Sequence, residues 1–334
     1  MKKIISLALS FIIVSSLISG CANGTTQTDS EKVYQIGIGQ FAEHPSLDNC
    51  RYGFMEGLKD EGFISGVNVK YIYENAQTDG GFCSQINNNF VSKKVDMIVA
   101  IATPIAQSAY AATENNNIPV MFTAITDPIA AGLANSDGTP VGNITGTSDK
   151  LPVEEQLKLI REMYPDLTKL GILYTTSEIN SISSIEEYKK YAPKYNFEII
   201  TSGVTQTSDI PLAADNILTK VDVMTNLTDN TVVASLPLIL EKANAKNIPV
   251  FGSEIEQVKM GCIACVGLDY VALGKQTARM ASRVLKGEDI KKINFETIDK
   301  AARYINKKVC ENLSYDVSEE LLSGSAEVFD TIEG

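Results

Sequence analysis

From Val33 onward the sequence writes one pattern twice, and that repeat limits the fold more than any other feature. Short apolar runs alternate with amphipathic stretches. The first set of β-like runs is Val33–Gly39, Val67–Tyr73, Val95–Ile101 and Val120–Phe122, separated by helical spacing over Leu47–Glu61, Phe82–Lys93 and Ile105–Glu114. The second set is Leu170–Tyr174, Phe197–Thr201, Val221–Thr225 and Val250–Gly252, separated by Ile182–Tyr195, Leu212–Lys220 and Val232–Asn244. Strand and helix alternation predicts βαβ units on parallel sheets. The halves also keep register. Gly37 is followed by Ser46 and Phe63 at the offsets at which Gly171 is followed by Asn180 and Phe197. Val95-Asp96 leads to Thr103 as Val221-Asp222 leads to Asp229, and Ile118-Pro119-Val120 recurs as Ile248-Pro249-Val250. Several matches in one order point to a duplicated unit. Two such lobes bind ligands at the carboxyl ends of their strands, so facing lobes place those loops across one cleft. The expected device is a hinged pair that closes on a small ligand.

Composition narrows the chemistry. The 334 residues carry a net charge of −12, which argues against a nucleic-acid partner, because phosphate binding needs clustered Lys and Arg. The one histidine, His44, excludes the paired-histidine zinc motifs and His-rich metal cages. It also removes Ser-His-Asp and Cys-His triads unless His44 is the base. No metal and no cofactor is expected.

The first 20 residues stand apart from the fold. Lys2 and Lys3 precede an uncharged run from Ile4 to Gly20, the pattern of a secretory signal. Its end, Ile18-Ser19-Gly20-Cys21, resembles the bacterial lipobox, which implies cleavage before Cys21 and a lipid (diacylglycerol, with palmitate-type acyl chains) on its sulfur. Residues 21–32 are polar and small, the composition of a flexible tether. The expectation is a lipid-anchored protein on the extracytoplasmic face of the cell membrane. With Cys21 acylated, five cysteines remain, an odd number that argues against a complete disulfide framework. Cys262 and Cys265 lie in an apolar, strand-like run, where residues three apart point to opposite faces about 10 Å apart, so they read as buried small side chains.

Five loops carry a family resemblance. They are Gly39 to Asp48, Val99 to Gln107, Phe122 to Pro128, Ser177 to Ser181 and Thr228 to Thr231. Together they resemble the substrate-binding lipoproteins of ABC importers related to the tryptophan and tyrosine binders, over about Val33 to Leu322. The resemblance implies a type I periplasmic-binding-protein fold. This is an α/β architecture of two similar doubly wound parallel-sheet lobes joined by a three-segment hinge. Lobe one would span 33–146 and 268–294, and lobe two 147–267 and 295–330. The crossings are expected near Ile144–Lys150, Gly267–Tyr270 and Ile293–Ile298. The resemblance further implies an aromatic amino acid as ligand, an ABC permease as membrane partner, a monomer, and no enzymatic activity.

An amino acid presents a carboxylate, an ammonium and a side chain. Ser46, Thr103 and Ser181, with Asn180 beside it, sit at expected helix starts, where hydroxyls and free N–H groups suit a carboxylate. Each is equally a candidate helix cap. For the ammonium the candidates are Asp229, Asp127 and Glu254. Asp229 is favoured because it opens the loop Asp229-Asn230-Thr231, although it could cap the following helix. The family pattern has Ser-Asp-Thr where this chain has Ser253-Glu254-Ile255, a departure that weakens Glu254 as a contact. Phe41 and Tyr174 end the matching first strands and could flank a ring. His44 could donate to a phenol hydroxyl, and Gln40 is a further polar candidate.

Rival readings are weaker. Gly37-Ile38-Gly39 lacks the third glycine of a dinucleotide fingerprint, and neither a GxSxG elbow nor a phosphate-binding loop occurs. A surface adhesin or interaction protein on the same fold remains an alternative, as does another small polar ligand. The absence of Trp disfavours a sugar, whose sites stack rings on aromatic faces.

Overall fold

The computed structural model describes residues 32–298 and 300–333. The signal-like segment, Cys21 and all of the tether but Lys32 lie outside them. Among the described residues no helix is long and apolar enough to cross a membrane.

Lobe one opens with β1 (Tyr34–Gln40), α1 (Pro45–Asp60), β2 (Val69–Asn75), α2 (Gly80–Ser92), β3 (Met97–Ile101), α3 (Thr103–Thr113), β4 (Val120–Thr123) and β5 (Ile144–Ser148). The chain then enters lobe two through α4 (Val153–Met163), β6 (Lys169–Thr175), α5 (Ile179–Tyr191), β7 (Glu198–Val204), α6 (Ile210–Ile217), β8 (Val223–Thr225), α7 (Asn230–Val233), α8 (Leu236–Asn244), β9 (Val250–Phe251), α9 (Ile255–Met260) and β10 (Ala264–Gly267). It returns to lobe one for α10 (Tyr270–Leu285) and β11 (Glu296–Thr297). It finishes on lobe two with β12 (Ala302–Asn306), α11 (Lys307–Asn312), α12 (Glu319–Ser323) and β13 (Glu327–Phe329).

Lobe one holds a six-stranded parallel sheet in the order β11-β5-β4-β3-β1-β2, and lobe two a four-stranded parallel sheet in the order β7-β6-β8-β9. The run β2-β1-β3-β4 matches β7-β6-β8-β9 strand for strand, so the duplication in the sequence is a duplication of topology. A third sheet, β10-β12-β13, pairs β10 antiparallel with β12 and β12 parallel with β13. The segment expected to form one helix over Val232–Asn244 breaks into α7 and α8 at Ser235, because Pro237 fits only the first turn of a new helix.

Each lobe has its own core. Lobe one packs one cluster around Ile36, Ile38, Phe90 and Ile98, and lobe two packs both faces of its sheet. Gly37 and Gly171, the paired glycines of the repeat, lie where a Cβ would meet Phe90 and Val221 side chains closer than 3.0 Å. The return helix α10 packs on α1 through Gly53 and Gly274. A Cβ at Gly53 would stand 2.2 Å from the Val271 carbonyl oxygen, and one at Gly274 2.1 Å from that of Cys50. This backbone-to-backbone contact ties the second crossing to lobe one. Cys50, Cys83, Cys262, Cys265 and Cys310 are all buried and free.

Candidate functional site

The loops after β1, β3 and β4 of lobe one face those after β6, β8 and β9 of lobe two, and the lobes are drawn together. Thr126 and Thr228 hydroxyls meet across the gap at 2.9 Å, the Ser183 hydroxyl donates to Asp127, and Lys150 pairs with Glu187 at 2.8 Å. Between the lobes lies an inner space of about 10 Å³, room for no more than one water, lined by His44, Ser46, Asp149, Asn230, Glu254 and Tyr270 among others. Toward solvent a wider cavity of about 520 Å³ opens between the lobes. Phe41, Pro104 and the lip Gln77–Gly80 line it from lobe one. Thr175, Glu178, Thr231 and the lip Thr205–Ser208 line it from lobe two.

The charge in this cleft is one-sided. Asp149, Glu178, Asp229 and Glu254 are each at most 2% exposed, and none of them takes part in an ion pair among the described residues. Burial pushes the Glu254 carboxyl up to about 7, against hydrogen bonds from the Glu256 and Gln257 N–H groups and the facing Ser46 hydroxyl. Asp149 is also raised by burial, while hydroxyls of Tyr270 and Thr126 donate to it and partly offset the shift. Glu178 is raised by burial and then by the neighbouring Asp229 charge, although it accepts from the backbone and side chains of Asn230 and Thr231 and from Asn180. Burial lowers His44 to about 4, so its ring is neutral. The His44 ring lies near Asn230 without a well-formed bond, and both ring nitrogens lack a hydrogen-bond partner. Thr103 Oγ1 and Asn180 Oδ1 are likewise buried and unpartnered. Such orphans are costly in a finished interior.

Backbone strain marks the same loops. Ala102, just before α3, has φ +88 and ψ 156, a region nearly reserved for glycine, and Ala124, which lines the inner space, has φ +57. Strain of this kind persists where the surroundings over-determine it, commonly at ligand sites.

The structure sorts the residues singled out in the sequence. Phe41 faces the outer cavity, and His44, Ser46, Asn230 and Glu254 line the inner space. Thr103, next in sequence to Pro104 of the outer cavity, and Asn180, bonded to Glu178 and Thr228, are buried with an unpartnered oxygen each. Four residues have other work. Asp229 is the N-cap of α7, and its two oxygens accept from Thr175 N–H and hydroxyl, Ser181 hydroxyl and Val232 N–H, which leaves no lone pair for an ammonium. Ser181 is thereby occupied as well. Asp127 accepts from Ala130 N–H and Ser183 as a fastening between lobes, away from the central cleft. Tyr174 packs toward Ile185 on the α5 face of lobe two, because alternate strand residues point to opposite faces and it is Thr175 that turns to the cleft.

Gln40 also turns away: its amide donates to Ala42 O and Asp48, and its carbonyl accepts from Arg51. The repeat's own register contains this result, since the offset that pairs Gly37 with Gly171 pairs Gln40 with Tyr174 and Phe41 with Thr175. The same offset pairs His44 with Glu178, both at helix N-caps. Asp149 and Tyr270, at the first and second crossings, carry no motif. The signal that could have found Asp149 is its place at a strand end inside an expected crossing.

The fold and the cleft define a two-lobed binding protein of the type I periplasmic-binding-protein class. The model of the family described as ABC transporter substrate binding protein matches residues 35–329, and the chain belongs to that family. Members work outside the cytoplasm as binding proteins. The "Tyrosine-binding protein" of Clostridioides difficile (strain R20291) is 39% identical over 320 residues, covering 93% of this chain and 92% of that protein. Among solved structures, the ABC domain in complex with L-Trp from Streptococcus pneumonia is 33% identical with a TM-score of 0.86, covering 89% of this chain and 100% of that one. A ligand-free, open structure of a substrate binding protein with adhesive properties from Clostridium difficile is 35% identical with a TM-score of only 0.67, covering 89% and 99%. Identity is similar in the two cases, yet the backbone matches the structure in complex with L-Trp more closely than the ligand-free, open one.

Proposed function

We propose that this protein captures an aromatic amino acid, of the class tyrosine, tryptophan and phenylalanine, between its lobes and presents it to an ABC permease. The observation that carries this reading is the cleft's one-sided chemistry: buried carboxyls from the hinge and lobe two, no Lys or Arg lining it, and unpartnered polar atoms from both lobes. A ligand must bring the positive charge, and an α-ammonium does so. Asp149 and Glu254, on the inner space, are the ammonium partners in this reading, which replaces Asp229 in that role. The Thr103 hydroxyl and the N-terminal N–H groups of α3 suit the ligand carboxylate. Phe41 and Pro104 offer apolar surface to a ring, and His44 offers a free ring nitrogen to a polar ring substituent. The relatives with tyrosine and tryptophan in their names support the aromatic class. An inner space of about 10 Å³ is too small for any amino acid, so loading requires the hinge to open. In the same reading Cys21 carries the lipid anchor, the body is tethered to the outer face of the membrane, and the protein is a monomer.

Titration calorimetry with tyrosine, tryptophan, phenylalanine and myo-inositol tests the ligand class. Micromolar or tighter binding of an aromatic amino acid, lost at least tenfold in Asp149→Asn, is the expected result. Binding of the polyol alone, or of none of the four, overturns the reading.

A further inference from the structure

We propose that Arg51 is a positioning residue for the cleft: standing outside it on α1, the guanidinium clamps together the two lobe-one loops that form its edge. One loop, residues 41–44, carries Phe41 and His44. The other, residues 76–80, forms the lip of the outer cavity. This inference rests on the reading of the cleft as the ligand site.

The first loop lacks the usual local anchor, and the lip is capped only at its far end, where the Asp79 carboxylate accepts from Gly81 and Phe82 N–H. Helix α1 starts after His44, whose side chain makes no cap hydrogen bond, so the usual device for fixing a helix entry is missing. The lip turns through Gln77 at φ +51 and Thr78 at φ +63, both left-handed and neither glycine. Backbone bonds join the loops to each other, from Ala76 N–H to Gln40 O at 2.8 Å and from Thr78 N–H to Phe41 O at 2.8 Å. Beside the Phe41 N–H bond to Ile101 O at 3.2 Å, the side-chain tie on the joined pair is the Arg51 fork. Its Nε donates to Gln40 Oε1 at 3.0 Å and its Nη2 to Asp48 Oδ1 at 2.9 Å. The Gln40 amide then donates to Ala42 O at 2.7 Å, inside the first loop, and to Asp48 at 2.9 Å. On the other side the guanidinium lies 4.4 Å from the Tyr73 ring centre and 4.4 Å from that of Tyr52. The Tyr73 hydroxyl accepts from Asn75, whose carbonyl accepts from Gln77 N–H at 2.7 Å, at the start of the lip.

Tyr52 and Tyr73 are 56% and 42% exposed, so neither is there to fill the core. Their faces shield a guanidinium whose side chain is 15% exposed, and a planar fork stacked between rings is geometry that lysine cannot reproduce. The continuous chain of contacts therefore runs from the lip, through Tyr73, Arg51 and Gln40, to the residues beside His44.

The single histidine makes the test specific, because imidazole NMR signals of the full chain report His44 alone. In the ligand-free protein, Arg51→Lys is expected to shift the His44 resonances and raise its pKa by about one unit above that of the wild type, as a loosened loop lets water reach the ring. Tyr73→Leu, which leaves the hydrogen bonds of Arg51 in place, is expected to move His44 the same way by less. Affinity for the amino acid that the wild type binds should fall about tenfold in Arg51→Lys, with the melting temperature within a few degrees. An unchanged His44 titration in both variants overturns the clamp. Wild-type protein that binds no amino acid would overturn the functional reading instead, and the ligand-free titration still decides the clamp.

Discussion

Glu254 offers a sharp test of whether the closed cleft exists in the ligand-free protein. Its carboxyl is 1% exposed and raised to about 7 by burial, against a usual value near 4.5. The folded protein thus holds the Glu254 proton more tightly than the unfolded chain. That contribution to stability is fully present below about pH 4.5 and is lost as pH rises through 7. Linkage over those two values makes the loss about 2.5 kcal/mol between pH 5 and pH 8. Glu254→Gln removes the titration. It also weakens the cap of α9, since an amide cannot accept from both Glu256 and Gln257 N–H, at a cost of about 1 kcal/mol. The cap penalty does not depend on pH and cancels when the two conditions are compared. Relative to wild type, the variant should therefore gain about 2.5 kcal/mol from pH 5 to pH 8, or roughly 5 °C in melting temperature for a body of this size. Thermal melts of both proteins without ligand, at the two pH values, make the measurement. A variant-minus-wild-type difference that is the same at both pH values would refute the burial of Glu254 in the empty protein.

Two further outcomes follow from packing and hydrogen bonding. Gly53→Ala places a methyl against the Val271 carbonyl and should lower stability by about 2–3 kcal/mol, read by urea denaturation, because two helix backbones must separate. Asp229→Ala strips the partners from Thr175, Ser181 and Val232 and should cost about 3 kcal/mol. That variant should retain ligand affinity within a few-fold at temperatures where it is folded, since Asp229 has no free acceptor, and a large affinity loss with unchanged stability would restore it as a contact.

The amino-acid sequence by itself determined the duplicated α/β architecture, because apolar periodicity and the glycines within the first strands are local properties repeated at matching offsets. Gly37 and Gly171 are small for the same reason in both lobes: a neighbouring side chain, Phe90 of α2 in one and Val221 ahead of β8 in the other, crosses the strand there. The sequence also placed His44, Ser46, Asn230 and Phe41 at strand ends facing the cleft, since in this architecture the strand ends and the ligand loops coincide. It left open whether a polar residue at a helix start faces a ligand or serves its own lobe. That choice depends on which lone pairs are already taken. Asp229 and Ser181 satisfy one another and the backbone around Thr175, while Glu254, one strand beyond Asp229 in sequence order, meets Asp149, Tyr270 and His44 only because the chain crosses back between the lobes. Tyr174 and Gln40 turned away from the cleft through the two-residue period of a strand. Local pattern is written along the chain, but the competition of buried polar groups for partners is settled only in three dimensions, where residues more than 100 positions apart share one small space.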